Sequence, residues 1–302
     1  MSNTVGVIGL GLMGWPMAHN LIDAGFDVVV HNRSPERIER FLAEHPTATG
    51  ASSPADVARK ATIIVTMLPA SADVELVVLG DDGIIESIQP GHLVIDMSTI
   101  APATSIMVHE TLTSRGASSL DAPVSGGDRG AIAGTLSIMV GGNPDDVERA
   151  RPVFEALGKT ITHCGGPGAG QTVKSCNQIV VGIAYQAVSE ALVLGSKAGV
   201  DPRKIIEVLD GGLASTAVLR LRGDAMCKGD FEPGGRASLH LKDLGIALDT
   251  AKSLNVSLPV ASILREKYLE VEARNLGDMD HSVLLKLVED SANHSISERE
   301  QA

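Results

Sequence analysis

Short runs of β-branched and apolar residues alternate with helical stretches through the first half of the chain. This alternation is typical of a parallel sheet whose two faces are covered by helices. Gly, Pro or Asp bounds each run, and these residues end regular elements. The pattern therefore predicts a doubly wound α/β domain with strands at Thr4–Ile8, Asp27–His31, Thr62–Met67, Leu93–Asp96, Ser119–Asp121 and Ser137–Gly141.

The alternation stops after Thr162. The segment Cys164–Gly170 is rich in Gly and Pro, and Gln171–Lys197 then continues without proline, with apolar residues spaced mainly as on a helix. At 1.5 Å per residue, such a helix would be about 40 Å long. We therefore expect an all-helical domain built around this long helix.

Helix boundaries in the second half are marked by residues that favour helix ends. Asp201-Pro202 predicts an N-cap and first helical residue, Gly211-Gly212 a stop, and Leu258-Pro259 another helix start. The last ten residues are polar and charged, as in a frayed tail. We therefore predict three parts, a Rossmann-type doubly wound domain over 1–164, an all-helical domain over 165–292 and a polar tail over 293–302.

Composition and charge narrow the possible partners. The formal charge of −12 disfavours nucleic acid and anionic membranes, and an aromatic content of 2% provides few platforms for base stacking. We expect neither a signal peptide, because glycines interrupt Val5–Met17 and no basic region precedes it, nor a membrane-spanning segment. Cys164, Cys176 and Cys227 form no CxxC pair, so we expect free thiols and a cytoplasmic protein.

A GxGxxG motif, Gly9–Gly14, follows the first predicted strand and opens a predicted helix. Its first glycine permits a tight turn, the second lets the backbone approach a pyrophosphate, and the third allows close helix packing. The helix N-terminus offers free amides to the phosphates. The motif alone is weak evidence, but this context indicates a dinucleotide site formed by Gly9, Leu10, Gly11, Leu12, Met13 and Gly14.

The end of the second predicted strand bears on the choice of cofactor. NAD-binding domains place an acidic residue there for the ribose 2′-hydroxyl. This chain instead has Asn32-Arg33-Ser34, in which Arg33 can pair with a 2′-phosphate and Ser34 can add a donor. We therefore predict NADP, with NAD as the alternative if Arg33 is only a solvated loop residue.

Three further segments are candidates for the chemistry. Thr99 follows a strand on the ligand-binding side of the sheet, and Ser125-Gly126-Gly127 forms either a carboxylate-binding nest or an ordinary glycine turn. Lys174 lies just inside the long helix, where the positive helix end would lower its pKa and so favour proton transfer. Asn177 and Gln178 would share its helix face, although spacing alone also fits a surface lysine.

These motifs, in this order, resemble the β-hydroxyacid dehydrogenase family, which includes the 3-hydroxyisobutyrate dehydrogenases. The resemblance extends from Gly9 to about Ser282. It implies that Lys174 donates a proton and that Asn177 orients the functional group. It also implies that Ser125, Gly126 and Gly127 bind the substrate carboxylate and that the cofactor contacts Met67, Leu68, Pro69 and Lys242. We also place Thr99 beside the cofactor and substrate, because it follows a strand, and Gln178 beside the substrate, because it shares the helix face of Lys174.

Within the family, several segments resemble the tartronate semialdehyde reductase branch. Asn177-Gln178 favours this branch, because it departs from the Asn-Asn pair common in hydroxyisobutyrate enzymes. The other segments that favour the branch are Gly211–Ala214, Phe231–Gly234, Leu239–Leu244 and Asp280–Ser282. One pair, Gly235-Arg236, does not match, because relatives often carry an aromatic or apolar residue before the arginine.

The resemblance implies NADPH-dependent reduction of a small semialdehyde acid, tartronate semialdehyde to glycerate, by hydride transfer with Lys174 as general acid. The alternatives are oxidation of 3-hydroxyisobutyrate, reduction of succinic semialdehyde or glyoxylate, and a non-catalytic NADPH-binding module. No metal is expected, because no His, Asp and Cys cluster has ligand spacing. Family likeness favours a homodimer or homotetramer.

Overall fold

A computed structural model describes residues 3–297 of the chain. The chain divides into two compact units, Met1–Lys174 and Ser175–Ala302. The division falls inside the long helix, whereas the sequence places the domain boundary before it, at 164/165. The two units are therefore described separately.

The first unit is built on one mixed sheet. Its described strands pair in the order β3-β2-β1-β4-β5-β6-β8-β7, and β9 pairs with β8. The pairs from β3 to β6 are all parallel, and this part has the order typical of a Rossmann domain. The strands are β1 Thr4–Ile8, β2 Asp27–His31, β3 Thr49–Gly50, β4 Ile63–Thr66, β5 Leu93–Asp96, β6 Ser118–Asp121, β7 Val124–Ser125, β8 Leu136–Gly141 and β9 Gly158–Gly165.

The structure confirms the doubly wound α/β class, because successive strand residues contribute to two separate cores. Val28 and Val30 belong to one core and Val29 to the other, as period-2 alternation requires of a sheet buried on both faces. Helices from both faces complete these cores. They are α1 Gly14–Asp23, α2 Pro35–Glu44, α3 Pro54–Lys60, α4 Ser71–Leu79, α5 Pro102–Thr113, α6 Gly127–Ile132 and α7 Pro144–Leu157.

The six predicted strands are all present within about one residue, but the structure adds β3, β7 and β9. The first two contain only two residues each, too few to show a period. β9 was missed because half of its residues are exposed and Gly158 and Gly165 bound it, so it has little apolar character. It pairs with β8 and lies at the predicted end of the first domain, where the sequence analysis expected no further strand.

The second unit is helical in its described residues, as expected. α8 Ala169–Lys197 enters it from the first unit. The predicted boundaries are confirmed: Asp201 Oδ1 accepts a 2.9 Å hydrogen bond from Arg203 N as N-cap, Gly211 caps the same helix, and Pro259 begins another. The further helices are α9 Pro202–Asp210, α10 Ala217–Cys227, α11 Ala237–Ser253, α12 Pro259–Ala273 and α13 Leu284–Ala292.

Part of the expected tail is not frayed. Ile296 and Ser297 are buried, and Ile296 N donates a 2.7 Å hydrogen bond to Glu289 Oε1. Ile296 packs in the core that α8 and α13 share with it. The prediction of a frayed tail is therefore wrong for 293–297, and residues 298–302 lie outside the described residues.

The expectation that no segment is long and apolar enough to span a bilayer is also wrong. Within 3–297, α8 meets the length and composition required, with 29 residues and a mean hydropathy of 1.6 in its most apolar window. One such helix is weak evidence for a membrane span, since the core helix of a globular protein meets the same two criteria. About a third of that window, 33%, is buried.

Asp280 organises the polar interior of the second unit. It forms a buried ion pair with Arg222, and its oxygens accept hydrogen bonds from Ser282 Oγ at 2.7 Å and Gly234 N at 3.1 Å. Burial pushes the pKa of Asp280 upward, but Arg222 and Ser282 outweigh this effect and hold the pKa below its ordinary value. Asp280 thereby connects α10, the loop before α11 and the 3₁₀ turn that precedes α13.

We predict that Asp280→Asn lowers the free energy of unfolding by about 3 kcal/mol at neutral pH, because it leaves the Arg222 cation buried without its counter-ion. The lowered pKa makes this contribution complete above the ordinary value of 3.8 and removes it as the pH falls through the lowered pKa. The difference between the two proteins should therefore shrink in acid. Urea unfolding from neutral to acid pH measures both effects.

Asp210→Asn is the control, because Asp210 pairs with Arg220 at 3.3 Å on the exposed surface. It should change the urea midpoint little at any pH. Equal losses in the two variants would contradict the role given to Asp280.

Candidate active site

Five strands of the first unit end at one edge of the sheet. The last paired residues of β1, β2, β4, β5 and β6 are in mutual register, namely Ile8, His31, Thr66, Asp96 and Asp121. The loops that follow these strands are therefore neighbours at the carboxyl edge, where open α/β sheets bind ligands. This edge carries every site residue that the sequence predicts between Gly9 and Gly127.

The glycine loop after β1 has the geometry that a dinucleotide needs. Gly9 has φ +104°, a left-handed conformation that favours glycine. A Cβ on Gly14 would lie 1.8 Å from Gly9 O, so α1 can approach the turn only with glycine there. A Cβ on Gly11 would meet nothing within 4 Å, which leaves its backbone open to a ligand.

The remaining loop residues place amides beside that opening. Leu12 is exposed and Met13 half-buried, whereas the Leu10 side chain is fully buried. α1 has no acidic residue in its first turn and no side-chain cap. The start of α1 thus retains donors and a partial positive charge, and these residues fit the pyrophosphate of a dinucleotide.

In the loop after β2, Asn32 and Arg33 have different roles, although the sequence analysis assigned both to the cofactor. Asn32 Oδ1 accepts a 3.0 Å hydrogen bond from Leu10 N, and Asn32 Nδ2 donates to Ser34 O at 3.3 Å. Asn32 therefore ties its loop to the glycine loop. Arg33 and Ser34 are exposed, and no acidic side chain within 3–297 pairs with Arg33, which leaves its guanidinium available for a phosphate.

Hydrogen bonds join the loops after β4 and β5. Leu68 N donates to Ser98 Oγ at 2.8 Å, which connects the segment Met67, Leu68 and Pro69 to the segment that carries Thr99. Thr99 is half-buried. The two segments predicted to contact the cofactor are therefore held as one structure.

The segment after β6 has the backbone predicted for anion binding. Gly126 and Gly127 have φ +135° and +63°, so both favour glycine. Ser125 is half-buried at the end of β7, and its hydroxyl makes no hydrogen bond within the described part of the chain. A free hydroxyl next to two glycine amides fits a substrate carboxylate.

Lys174 is the last residue of the first unit and lies in α8, at the second turn. It is only 6% exposed, although a lysine usually reaches solvent. The helix start also differs from the one that the sequence implied, because the Asp121 carboxylate lies on its first amides. This carboxylate occupies the positive helix end that the sequence argument invoked for Lys174.

Sequence reasoning missed the buried carboxylates Asp96 and Asp121, which end adjacent strands. Burial raises the pKa of Asp96 to about 6, while hydrogen bonds from Ser98 and Thr66 oppose the rise. Burial also raises the pKa of Asp121, against amide hydrogen bonds from Gln171 and Gly168. Two strands that each end in Asp were the available signal.

The second unit holds the other predicted residues. Gln178 Nε2 donates to Asp243 Oδ2 at 2.7 Å, and Lys242 Nζ pairs with Asp243 Oδ1 at 3.2 Å. Asn177 Oδ1 is buried and accepts no hydrogen bond from the residues that the structure describes. A buried amide oxygen of this kind is suited to a hydroxyl or amine donor.

The unusual Gly235-Arg236 pair has a local explanation in the second unit. A Cβ on Gly235 would lie 2.7 Å from His281 Nε2, so the imidazole occupies the space of a side chain at this position. Arg236 pairs with the exposed Asp278 at 3.1 Å. A side chain at position 235 would require the His281 imidazole to shift.

Comparison with known proteins agrees with this geometry. Residues 4–166 match the NAD-binding domain of 6-phosphogluconate dehydrogenase, and 168–288 match the NAD-binding domain of NADP-dependent 3-hydroxyisobutyrate dehydrogenase. The chain is 42% identical over 297 residues to 2-hydroxy-3-oxopropionate reductase of Escherichia coli, covering 97% of this chain and 99% of the relative.

Two further matches also cover nearly the whole chain. A probable mitochondrial 3-hydroxyisobutyrate dehydrogenase of Dictyostelium discoideum is 42% identical over 94% of this chain and 90% of its own length. The solved structure of Mycobacterium tuberculosis 3-hydroxyisobutyrate dehydrogenase with L-serine has a TM-score of 0.84 at 32% identity, over 95% of this chain and 99% of that one.

The chain therefore belongs to the β-hydroxyacid dehydrogenase family, as the sequence motifs implied. It is an oxidoreductase whose cofactor is a nicotinamide dinucleotide, NADP or NAD. The relatives are named for reactions of small hydroxy acids and their aldehyde counterparts.

We predict that Arg33→Ala raises the KM for NADPH roughly tenfold or more, because charge-assisted hydrogen bonds to the 2′-phosphate are lost. The KM for NADH should stay within about twofold, since NADH has no phosphate there. Steady-state kinetics with each cofactor measures the change. Arg40→Ala is the matched control, because Arg40 is exposed on α2 and pairs with Glu44; an equal shift in both cofactors would contradict the assignment.

Gly11→Ala should affect cofactor binding, whereas Gly14→Ala should affect folding. Alanine at 11 enters open space, so it should weaken NADPH binding about tenfold by occupying the pyrophosphate position without changing Tm. Alanine at 14 would place its Cβ 1.8 Å from Gly9 O, so it should lower Tm or prevent folding. Fluorescence titration with NADPH and thermal unfolding separate the two results, and a large fall in Tm for Gly11→Ala would contradict this account.

Proposed function

We propose that the chain reduces tartronate semialdehyde to glycerate with NADPH, and that Lys174 is the general acid. The observation that carries this proposal is the buried lysine on α8, one turn after a helix start that Asp121 holds at the cofactor edge of the sheet. A buried cation next to a dinucleotide edge is well suited to proton transfer. The extensive identity to 2-hydroxy-3-oxopropionate reductase supports the choice of substrate.

The proposed roles follow from the chemistry of each group. The nicotinamide ring, when bound, supplies the reducing equivalent to the aldehyde carbon. Lys174 gives a proton to the oxygen on which negative charge develops, so the charge never has to accumulate. Ser125, Gly126 and Gly127 bind the substrate carboxylate, because a free hydroxyl and two left-handed glycines there favour an anion.

Other residues orient the two ligands in this proposal. Thr99 contacts the nicotinamide or the substrate from the loop after β5. Asn177 orients the reacting group, consistent with its buried amide oxygen, and Gln178 is held by Asp243 for the same purpose. Lys242 reaches the cofactor, which is an assignment based on the family resemblance.

A second candidate is oxidation of 3-hydroxyisobutyrate, which the equal identity to the Dictyostelium relative favours. The two reactions use the same groups in opposite directions, and their substrates differ in a methyl or hydroxyl beside the carboxylate. A pocket that hydrogen-bonds a hydroxyl rejects a methyl far more strongly than an apolar pocket rejects a hydroxyl. Succinic semialdehyde and glyoxylate are further alternative substrates.

Initial rates with a panel of semialdehydes and 3-hydroxy acids, each with NADPH and NADH, test the substrate. We expect the highest kcat/KM for tartronate semialdehyde with NADPH. A higher value for 3-hydroxyisobutyrate would replace the first candidate by the second. No consumption of either cofactor with any member would favour a non-catalytic NADPH-binding module.

We predict that Lys174→Ala lowers kcat by about 10²- to 10⁴-fold, since a positioned general acid typically contributes this factor. The Kd for NADPH should change less than about threefold, because the glycine loop and Arg33 bind the cofactor. Lys197→Ala, at the other end of the same helix, is the control. Wild-type turnover in Lys174→Ala would refute the mechanism.

The cytoplasmic location, the homodimeric or homotetrameric state and the domain limit at 164/165 stay predictions of the sequence.

A further inference from the structure

Two buried polar side chains, Asp121 and Gln171, lie where β5 and β6 meet the first turn of α8. Asp121 Oδ1 accepts a 2.8 Å hydrogen bond from Gly168 N, and Asp121 Oδ2 accepts one of the same length from Gln171 N. One carboxylate therefore binds two amides at the helix start. This contact fixes the helix start along its axis and in rotation relative to β6.

The helix start is also seated by direct backbone contact. A Cβ on Gly170 would lie 2.3 Å from Met139 O and 2.7 Å from Asp121 O. A Cβ on Gly141, opposite Asp121 in the sheet, would lie 2.4 Å from Asp121 Oδ1 and 2.8 Å from Gly170 N. The first turn of α8 thus rests on β6 and β8 without room for any side chain between them.

Gln171 extends this attachment to the neighbouring loop. Its side chain is fully buried, Nε2 donates to Ser98 O at 2.8 Å, and Oε1 accepts from Ile100 N at 3.1 Å. The amide of Gln171 therefore holds a peptide group on each side of Thr99. The Gln171 side chain cannot shift without moving the segment that carries Thr99.

Ser98 carries the attachment further. Its hydroxyl accepts from Leu68 N at 2.8 Å, and its own amide donates to Asp96 Oδ1 at 3.2 Å. A continuous set of buried hydrogen bonds thus runs from the loop after β4, through the Thr99 segment, to the first turn of α8. Lys174 lies three residues after Gln171, on the adjoining turn.

We propose that Asp121 and Gln171 are positioning residues that set where the Lys174 ammonium lies relative to the Thr99 and Met67–Pro69 segments. The proposal rests on the proposed function, since it acts through Lys174. The physical basis is orientation: displacement of a catalytic group by about 1 Å can cost roughly 10²-fold in rate. Neither residue touches the reacting atoms in this proposal.

The test is a double-mutant cycle with Gln171→Met, which keeps the length of the side chain but removes both hydrogen bonds. We expect kcat to fall by about 10- to 100-fold in the wild-type background, with the Kd for NADPH changed less than about threefold. In the Lys174→Ala background the same change should cost less than about threefold, because no ammonium remains to be positioned. Single-turnover NADPH absorbance with enzyme in excess measures the slow variants.

Gln186→Met is the matched control, since Gln186 is half-buried on the same helix and, within residues 3–297, its Nε2 donates to Glu190 at 2.7 Å while its Oε1 accepts no hydrogen bond. It should leave kcat unchanged. Asp121→Asn is the second variant, because it keeps the shape and one acceptor while removing the other. We expect it to reproduce the dependence on Lys174 that Gln171→Met shows.

Each other outcome overturns the inference. An equal loss in both backgrounds would mean that Gln171 supports the whole site or the cofactor, and no loss would mean that its hydrogen bonds do not position Lys174. Failure of both Gln171→Met and Asp121→Asn to fold would assign these residues to general stability. Wild-type turnover in Lys174→Ala alone would instead refute the proposed function, which distinguishes the two failures.

Discussion

The register of five parallel strands is the constraint on which the candidate site depends. Because β1, β2, β4, β5 and β6 end at the same level, the loops that follow them share one edge. The side chains that end β5 and β6 are both buried aspartates, whose oxygens accept hydrogen bonds from loops and from the start of α8. The sheet thereby fixes the cofactor loops and the helix that carries Lys174 in one frame.

Local pattern was sufficient to predict much of this frame. The strands of the Rossmann domain, the helix boundaries at Asp201-Pro202 and Pro259, and the three separate roles of Gly9, Gly11 and Gly14 follow from periodicity and from glycine and proline chemistry. The family likeness followed from the order of motifs. These features depend on residues close together in the sequence, so the sequence displays them directly.

Features that depend on distant residues were not predictable in the same way. The contacts of Gln171 with Ser98 and Ile100 span more than seventy positions, with separations of 73 and 71, and no local period marks them. Asn32 was grouped with Arg33 as a cofactor residue, although its amide bonds the glycine loop. β9 and residues 293–297 lack an apolar signal but are fixed by neighbours, and the apolar length of α8 was underestimated.

The hydrogen bond from the Leu10 amide to Asn32 bears on how enzymes of this kind can change coenzyme during evolution. Aspartate has nearly the volume of asparagine and would keep the oxygen that receives this bond, losing only the 3.3 Å donation to Ser34 O. It would also put a carboxylate at the end of β2, where NAD-binding domains carry one. Substitutions at neighbouring codons could therefore change the coenzyme preference between NADP and NAD while the glycine loop keeps its shape.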